Sequence, residues 1–344
     1  MAELDRFLER YHQLGRRKIL FFLLLAAVAV IAIFLTLGFG VYKIGIFDAI
    51  ATLFNHLAGN PVNPSDDHYV FDVRLPRAIG AIAVGAGLAV GGAVMQNVLR
   101  NPLAEPYTIG ISSGAFLGAV LSLVFGFSII PTLSGDMATV VNAFLFSLIP
   151  VSIILLVSRF KKLSSATMIL LGIAVMFVFS SISQTIMVTC SSESLSDVYN
   201  WRVGTLAKVT WGNLPFIIVF TVAISALLMS FSKKMDLINT GDKIAQILGV
   251  NVERLRLALM VFVSLMTAAL VSFTGTIGFI GLVGPHVARM FVGSSNRYLI
   301  PAAAAFGGTF LILADTVAKV SGINGLPVGV ISAMIGGRLF IYIL

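Results

Sequence analysis

The chain is poor in most of what catalytic sites are built from. It has one cysteine, four histidines and two tryptophans in 344 residues, and only 11% of it is charged, against about 25% in an ordinary soluble domain. The lone Cys190 excludes a disulfide within the chain. His12, His56, His68 and His286 stand far apart without metal-ligand spacing, and no H-E-x-x-H occurs. There is no G-x-x-x-x-G-K-[ST] phosphate loop, so the chain is not expected to hydrolyse nucleotide by itself. What remains is 58% hydrophobic with a mean hydropathy of +1.00, more apolar surface than a soluble core could cover.

Long apolar runs take the place of chemistry. A helix crossing the hydrocarbon needs about 20 mostly apolar residues. Such runs fall at 19–41, 78–97, 108–127, 138–158, 166–188, 214–232, 255–273, 277–292, 299–317 and 327–343, which predicts ten spans and one polytopic membrane domain over 1–344. The first run follows the charged segment "ELDRFLERYHQLGRRK" and lacks a small-residue cleavage site, so it reads as a span and not as a signal peptide.

Basic residues orient the spans. With a cytoplasmic N-terminal segment, 1–18, and ten alternating crossings, 17 lysines and arginines fall inside and six outside. The positive-inside rule therefore places both termini in the cytoplasm of a cell-membrane protein. The net charge of +8 is read as topology, and nucleic acid is not an expected partner.

Two connections are long. Residues 42–77, outside, are turn-rich around "NHLAGNPVNPSDDHY". Residues 233–256, inside, place Ile244, Ile247 and Leu248 at helical spacing, with Gly249 as a C-cap. A solvated loop and a pair of short surface helices acting as a docking element both fit that second segment.

Glycines recur at four-residue spacing, at 87 and 91 and at 110, 114 and 118. They allow close helix packing in lipid and could equally leave space for a solute. Pro102, Pro106, Pro285 and Pro327 are expected to break or start helices near the membrane surfaces. Broken helices are tolerated at membrane depth only where protein or a water-filled cavity covers the backbone, which favours a transporter or channel over an anchor. Asp315 is the one carboxylate firmly inside a span; an ion pair with Lys319 at i,i+4 and a proton relay are its two readings. His286 reads as a hydrogen-bonded structural residue. An ion-gradient-driven secondary transporter is the rival class, and it needs more buried ionisable groups than these.

Several stretches, in order along the chain, carry a resemblance: "RLPR", "NPLAEPYTIGISSGA", "WRVGTL", "GDKIAQILGVNVERLR", "GTIGFIGLVGPHVARMFVGSSNRYLIPAAAAFGG", "LILADTVAK" and "LPVGVISAMIGG". Together, from about Arg74 to Leu344, they resemble the FecCD-type permease subunits of binding-protein-dependent ABC importers for ferric siderophores, haem and cobalamin. The resemblance implies an all-α type II ABC importer permease of ten transmembrane helices, with helices two to five and seven to ten as an inverted repeat. It implies a homodimer, two ATP-binding cassette subunits that carry the ATP and Mg, an extracytoplasmic solute-binding protein, and no cofactor on this chain. An iron-siderophore complex is the favoured solute, with cobalamin and haem next.

The resemblance also assigns residues. Gly241, Asp242, Ala245, Leu248 and Gly249 would couple to the ATPase. Arg74, Arg77 and Lys319 would form an outer rim that receives acidic residues of the binding protein. Asn101, Leu103, Ser165, Ala166 and Leu170 would close the inner end of the pathway. Three departures from the familiar pattern stand out: lysine where arginine is usual at 319, no hydroxyl at Ala166, and "GGRLF" where Gly-Ala-Pro or Gly-Gly-Pro is usual.

Overall fold

The computed structural model describes residues 2–60, 63–161, 163–322 and 325–343, with side chains from Gly15 onward up to residue 342. Lys162 and the side chains of Arg6, Arg10 and His12 lie outside the described residues. Among the described residues the chain is helical or irregular and forms no strand.

The elements in order are α1 (Ala2–Gly38), α2 (Ile46–Leu57), α3 (Pro64–Leu99), α4 (Ile111–Phe125), α5 (Gly135–Phe160), α6 (Ser165–Thr189), α7 (Ser192–Val203), α8 (Leu214–Ser230), α9 (Ser232–Thr240), α10 (Asp242–Ile247), α11 (Val252–Thr274), α12 (Ile280–Val292), α13 (Asn296–Val320) and α14 (Val328–Ile343). α3 is the hub and packs against α8, α11, α12 and α13.

Every expected span lands on an apolar helix, but ten full-length crossings are not what is seen. Among the described residues six helices are long and apolar enough to cross a membrane, and α8 with α9, bent by 53°, makes a seventh if the pair is one span. The remaining three, α4, α12 and α14, have 15, 13 and 16 residues. At 1.5 Å per residue they reach roughly 20–24 Å, short of a hydrocarbon core of about 30 Å. Irregular backbone precedes each of the first two. A 3₁₀ turn at Pro106–Ile109 leads into α4, and residues 275–279 lead into α12. The two passages meet inside the protein, where the Tyr107 hydroxyl donates to the Ile277 carbonyl at 3.1 Å. Protein covers both, which is the condition under which such backbone survives at depth.

Pro106 starts a helical turn as expected, whereas the expectation that Pro285 breaks or starts a helix is corrected. Pro106 touches Gly91, two turns inside α3, because the chain after α3 turns back along that helix. Pro285 sits within α12.

Much of the expected loop 42–77 is also helical. Asn63 caps α3 by accepting from the Ser65 amide at 3.0 Å, and Pro64 occupies the first turn. A π-helical stretch at His68–Arg74 then carries the helix on into the apolar run. Ala49 and Leu53 of α2 close over Leu37 and Val70. Their polar neighbours had masked these short apolar contacts.

Segment 233–256 forms two short helices. Gly249, at φ +84°, donates to the Gln246 carbonyl, and Val250 donates to Ala245, the Schellman arrangement that ends α10.

The spaced glycines are filled by neighbours, which resolves them as packing sites. Gly87 meets Leu270 and Thr221, and Gly91 meets Pro106. Gly110 meets Gly172 and Pro150, while Gly114 and Gly118 lie on the Phe146 and Asn142 carbonyls of α5. A methyl group built on Gly92 would fall on the Gly281 carbonyl, and one on Gly85 would fall on that of Gly307. Phe279, held at φ +70°, lies against Gly336 and Gly337 in the same way, and nothing in the structure explains the arginine that follows them.

Gly92→Ala should therefore destabilise the purified protein by about 1–3 kcal/mol through overpacking. Gly212→Ala, where nothing but Thr210 stands within reach, should not. Thermal unfolding in detergent compares them, and equal midpoints would remove the close-approach argument.

Candidate docking, gate and coupling sites

The two ends of α3 carry different chemistry. From Arg74 to Arg100 the helix rises roughly 39 Å at 1.5 Å per residue.

At the Arg74 end, the expected exposed basic rim is corrected. Arg74 is 4% exposed, and its guanidinium donates to the carbonyls of Leu37 and Tyr42. Lys319 is also buried and donates to Thr36 Oγ1 at 2.9 Å. Arg77 grips Asp315 through Nε at 3.0 Å and Nη2 at 2.7 Å. The extension of α3 and the α1–α2 connection cover these groups, and hydropathy alone does not register that cover. Asp315 does pair with Lys319, at 3.3 Å. Its stronger, forked partner Arg77 lies 238 residues away and went unseen in the sequence.

Two cations, Arg77 and Lys319, thus share one fully buried carboxylate, and the buried Arg74 beside them is held by main-chain carbonyls instead. The unbalanced positive charge backs a cavity of about 400 Å³, lined also by Tyr42, Tyr69, Asn200, Ala207 and Pro327. A mobile proton relay at Asp315 is disfavoured, since both of its oxygens are held by cations. His286, expected to be hydrogen-bonded, has a buried Nδ1 with no partner and lies edge-on to Phe340. Among the described residues no cluster of three or more His, Cys, Asp or Glu could hold a metal ion.

At the other end, Ser165 at the start of α6 donates to the Val98 carbonyl at 3.4 Å, bringing α6 to the last turn of α3. Asn101 accepts from the Leu103 amide at 2.9 Å and shapes the turn that follows. Leu103, Ala166 and Leu170 are exposed in the single chain. The structure therefore joins Asn101 and Ser165 to one locality and leaves the three apolar members uncovered.

The coupling candidates form one element. Gly241, at φ +130°, breaks α9 from α10. Ala245 is the buried anchor of α10, while Ile244, Ile247 and Leu248 present an apolar face outward, Ile247 being 85% exposed. Asp242 binds Arg100 at 2.7 Å and Arg256 at 2.8 Å. Behind it, the Asn296 amide groups donate to Asp236 at 2.7 and 2.8 Å, and Asn97 exchanges side-chain bonds with Asn296 and Asn239. Arg100, Arg256, Asn97 and Asn296 were missed in the sequence. No local spacing marks them, because each partner belongs to a different helix.

The chain matches the FecCD transport family over residues 28–344. It is 32% identical over 328 residues to the molybdate import system permease protein MolB of Haemophilus influenzae, covering 94% of each chain. It is 33% identical over 331 residues to the Fe(3+)-citrate import system permease protein YfmE of Bacillus subtilis, covering 96% of each. A solved structure described as an inward-facing metal-chelate type ABC transporter superposes with a TM-score of 0.82 at 30% identity, covering 94% of this chain and 97% of that one.

Asp315→Asn should leave Arg77 and Lys319 buried without a counter-charge and destabilise the fold by about 3–5 kcal/mol. Thermal unfolding in detergent reads this directly. An unchanged midpoint would mean that the cluster is not a structural brace.

Proposed function

Because the chain belongs to the FecCD transport family, and so is a multi-pass permease subunit of an ABC importer of metal chelates, we propose that it carries a ferric siderophore complex across the cytoplasmic membrane. Family membership implies separate ATPase and solute-binding chains, and it displaces the ion-gradient-driven reading. The iron preference is supported by the ferric citrate relative, which matches nearly end to end. The molybdate relative and the family's haem and cobalamin members keep those solutes in the test.

The single observation that carries the mechanism is the separation of two unlike surfaces by the length of α3. A cavity backed by surplus positive charge lies at one end, and a short helix with an outward apolar face lies at the other. We read the first as the seat for acidic side chains of the binding protein on the outer side. Arg74, Arg77 and Lys319 act there as a buried field, where an exposed rim had been expected. Buried cations in a concave, low-dielectric wall focus potential toward its mouth. We read the second, Gly241–Gly249, as the seat on the cytoplasmic ATPase. Nucleotide-driven closure would displace it as a rigid body.

A homodimer fits the exposed apolar face of α6. Leu170, Phe177, Val178 and Val188 all lie open in the single chain. Across a second copy, Leu103, Ala166 and Leu170 would close the cytoplasmic end of the pathway with Asn101 and Ser165. The shared order of long helix, irregular passage and short helix at α3–α4 and α11–α12 supports the inverted repeat.

The direct test is uptake in proteoliposomes holding this chain, its ATPase and its binding protein. A ferric hydroxamate siderophore, haem, cyanocobalamin and molybdate are offered in turn. ATP-dependent uptake of the siderophore is expected, and uptake of another solute instead would overturn the iron assignment. Docking is tested separately with Ala207→Glu, an exposed position on the cavity wall. The added carboxylate should slow association of the binding protein several-fold, more at low salt than at high. An unchanged association rate would move the docking site elsewhere.

A further inference from the structure

Arg100 occupies an unusual place. It is the C-cap of α3 at φ +48° and ψ +39°, one of only two non-glycine residues in the left-handed region among the described residues. Such a conformation costs of the order of 1 kcal/mol and persists where surrounding contacts hold it. Here they are specific. The guanidinium donates to the Ile238 carbonyl in α9 and pairs with Asp242 at the start of α10 at 2.7 Å. The residue after it opens the Asn101–Ala104 turn.

Asp242 is held twice, and the two holds differ. Arg256, nearly buried on α11, takes both carboxylate oxygens at 2.8 and 3.1 Å. That pins α10 to α11. Arg100 meets the same Oδ1 and ties α10 to the exit of α3. Asn97 also links α3 to α9 and α13, but it lies one turn earlier and leaves Asn101–Ala104 unrestrained.

We propose that Arg100 is a positioning residue: a strut that makes α10 and the Asn101–Ala104 segment move as one body, so that displacement of α10 is delivered to the gate. This rests on the reading of α10 as the ATPase seat. The pair with Asp242 is about one-third exposed on each side, and such pairs contribute little to stability. The role is therefore geometric. A single nitrogen, Nη2, meets both the Asp242 carboxylate and the Ile238 carbonyl, which ties the two acceptors to one point at the exit of α3.

The test uses the full transporter with its ATPase in nanodiscs, with Cys190→Ser and spin labels at Leu103→Cys and Lys243→Cys. In otherwise unmodified protein the inter-label distance distribution should be the same with and without ATP–vanadate. Arg100→Gln retains polar reach to the carbonyl but lacks the charge, and Arg256 still holds α10. In that variant ATP–vanadate should shift the distribution, while basal ATP hydrolysis, located on the partner chain, persists. Arg100→Lys, which restores the charge, should suppress the shift. The proposal is overturned if Arg100→Gln stays nucleotide-insensitive, or if the unmodified pair already separates with nucleotide. Failure of the underlying reading is distinguishable, because Ile247→Cys would then give no crosslink to the ATPase.

Discussion

The fold depends on how closely α3 can approach α12 and α13. Lipid offers helices no hydrophobic reason to associate, so contact must come from packing and hydrogen bonds. Gly92 against the Gly281 carbonyl and Gly85 against Gly307 bring backbones to a separation that any side chain would prevent. That proximity buries the middle of α3 on all sides. It also explains how α12, too short to cross alone, is held at depth. Its first turn rests on α3 and on Pro106, and the irregular backbone before it is enclosed by protein.

Around this rigid centre, charge is confined to the two ends of α3 and is handled differently at each. Near its start, Arg77 and Lys319 share one carboxylate that has no exposure to solvent, and Arg74 is buried on main-chain carbonyls. The arrangement stores positive potential behind a cavity while fixing α13 to α3. Near its end, a half-exposed aspartate is shared between two arginines on different helices. One arrangement suits a static receptor for an acidic partner. The other suits a part that must transmit movement, since partly solvated pairs can be displaced without leaving a bare charge in a dry interior.

The mechanical picture that follows is of a stiff column with a handle. α10 is short, capped at both ends by glycine and anchored by a single buried residue, Ala245. Its outward apolar face has no partner within the described residues of this chain. Force applied there reaches the column through Asp242, which makes this carboxylate the narrowest point of the proposed path.

The sequence by itself determined what depends on local composition and period. Apolar run length located the ten helices on which the expected spans fall, and Gly249 marked the end of α10 through a turn that few other residues form. Motif order along the chain was enough to point to the family. Tertiary structure alone decided depth, exposure and partnership. Hydropathy counts residues and cannot tell a full crossing from a short helix completed by irregular backbone, so α4, α12 and α14 read as full spans. It cannot see cover, so Arg74 and Lys319 read as exposed. Arg77 finds Asp315, and Arg100 finds Asp242, only after helices distant in the chain have packed, because an ion pair is set by distance in space and leaves no period in the sequence.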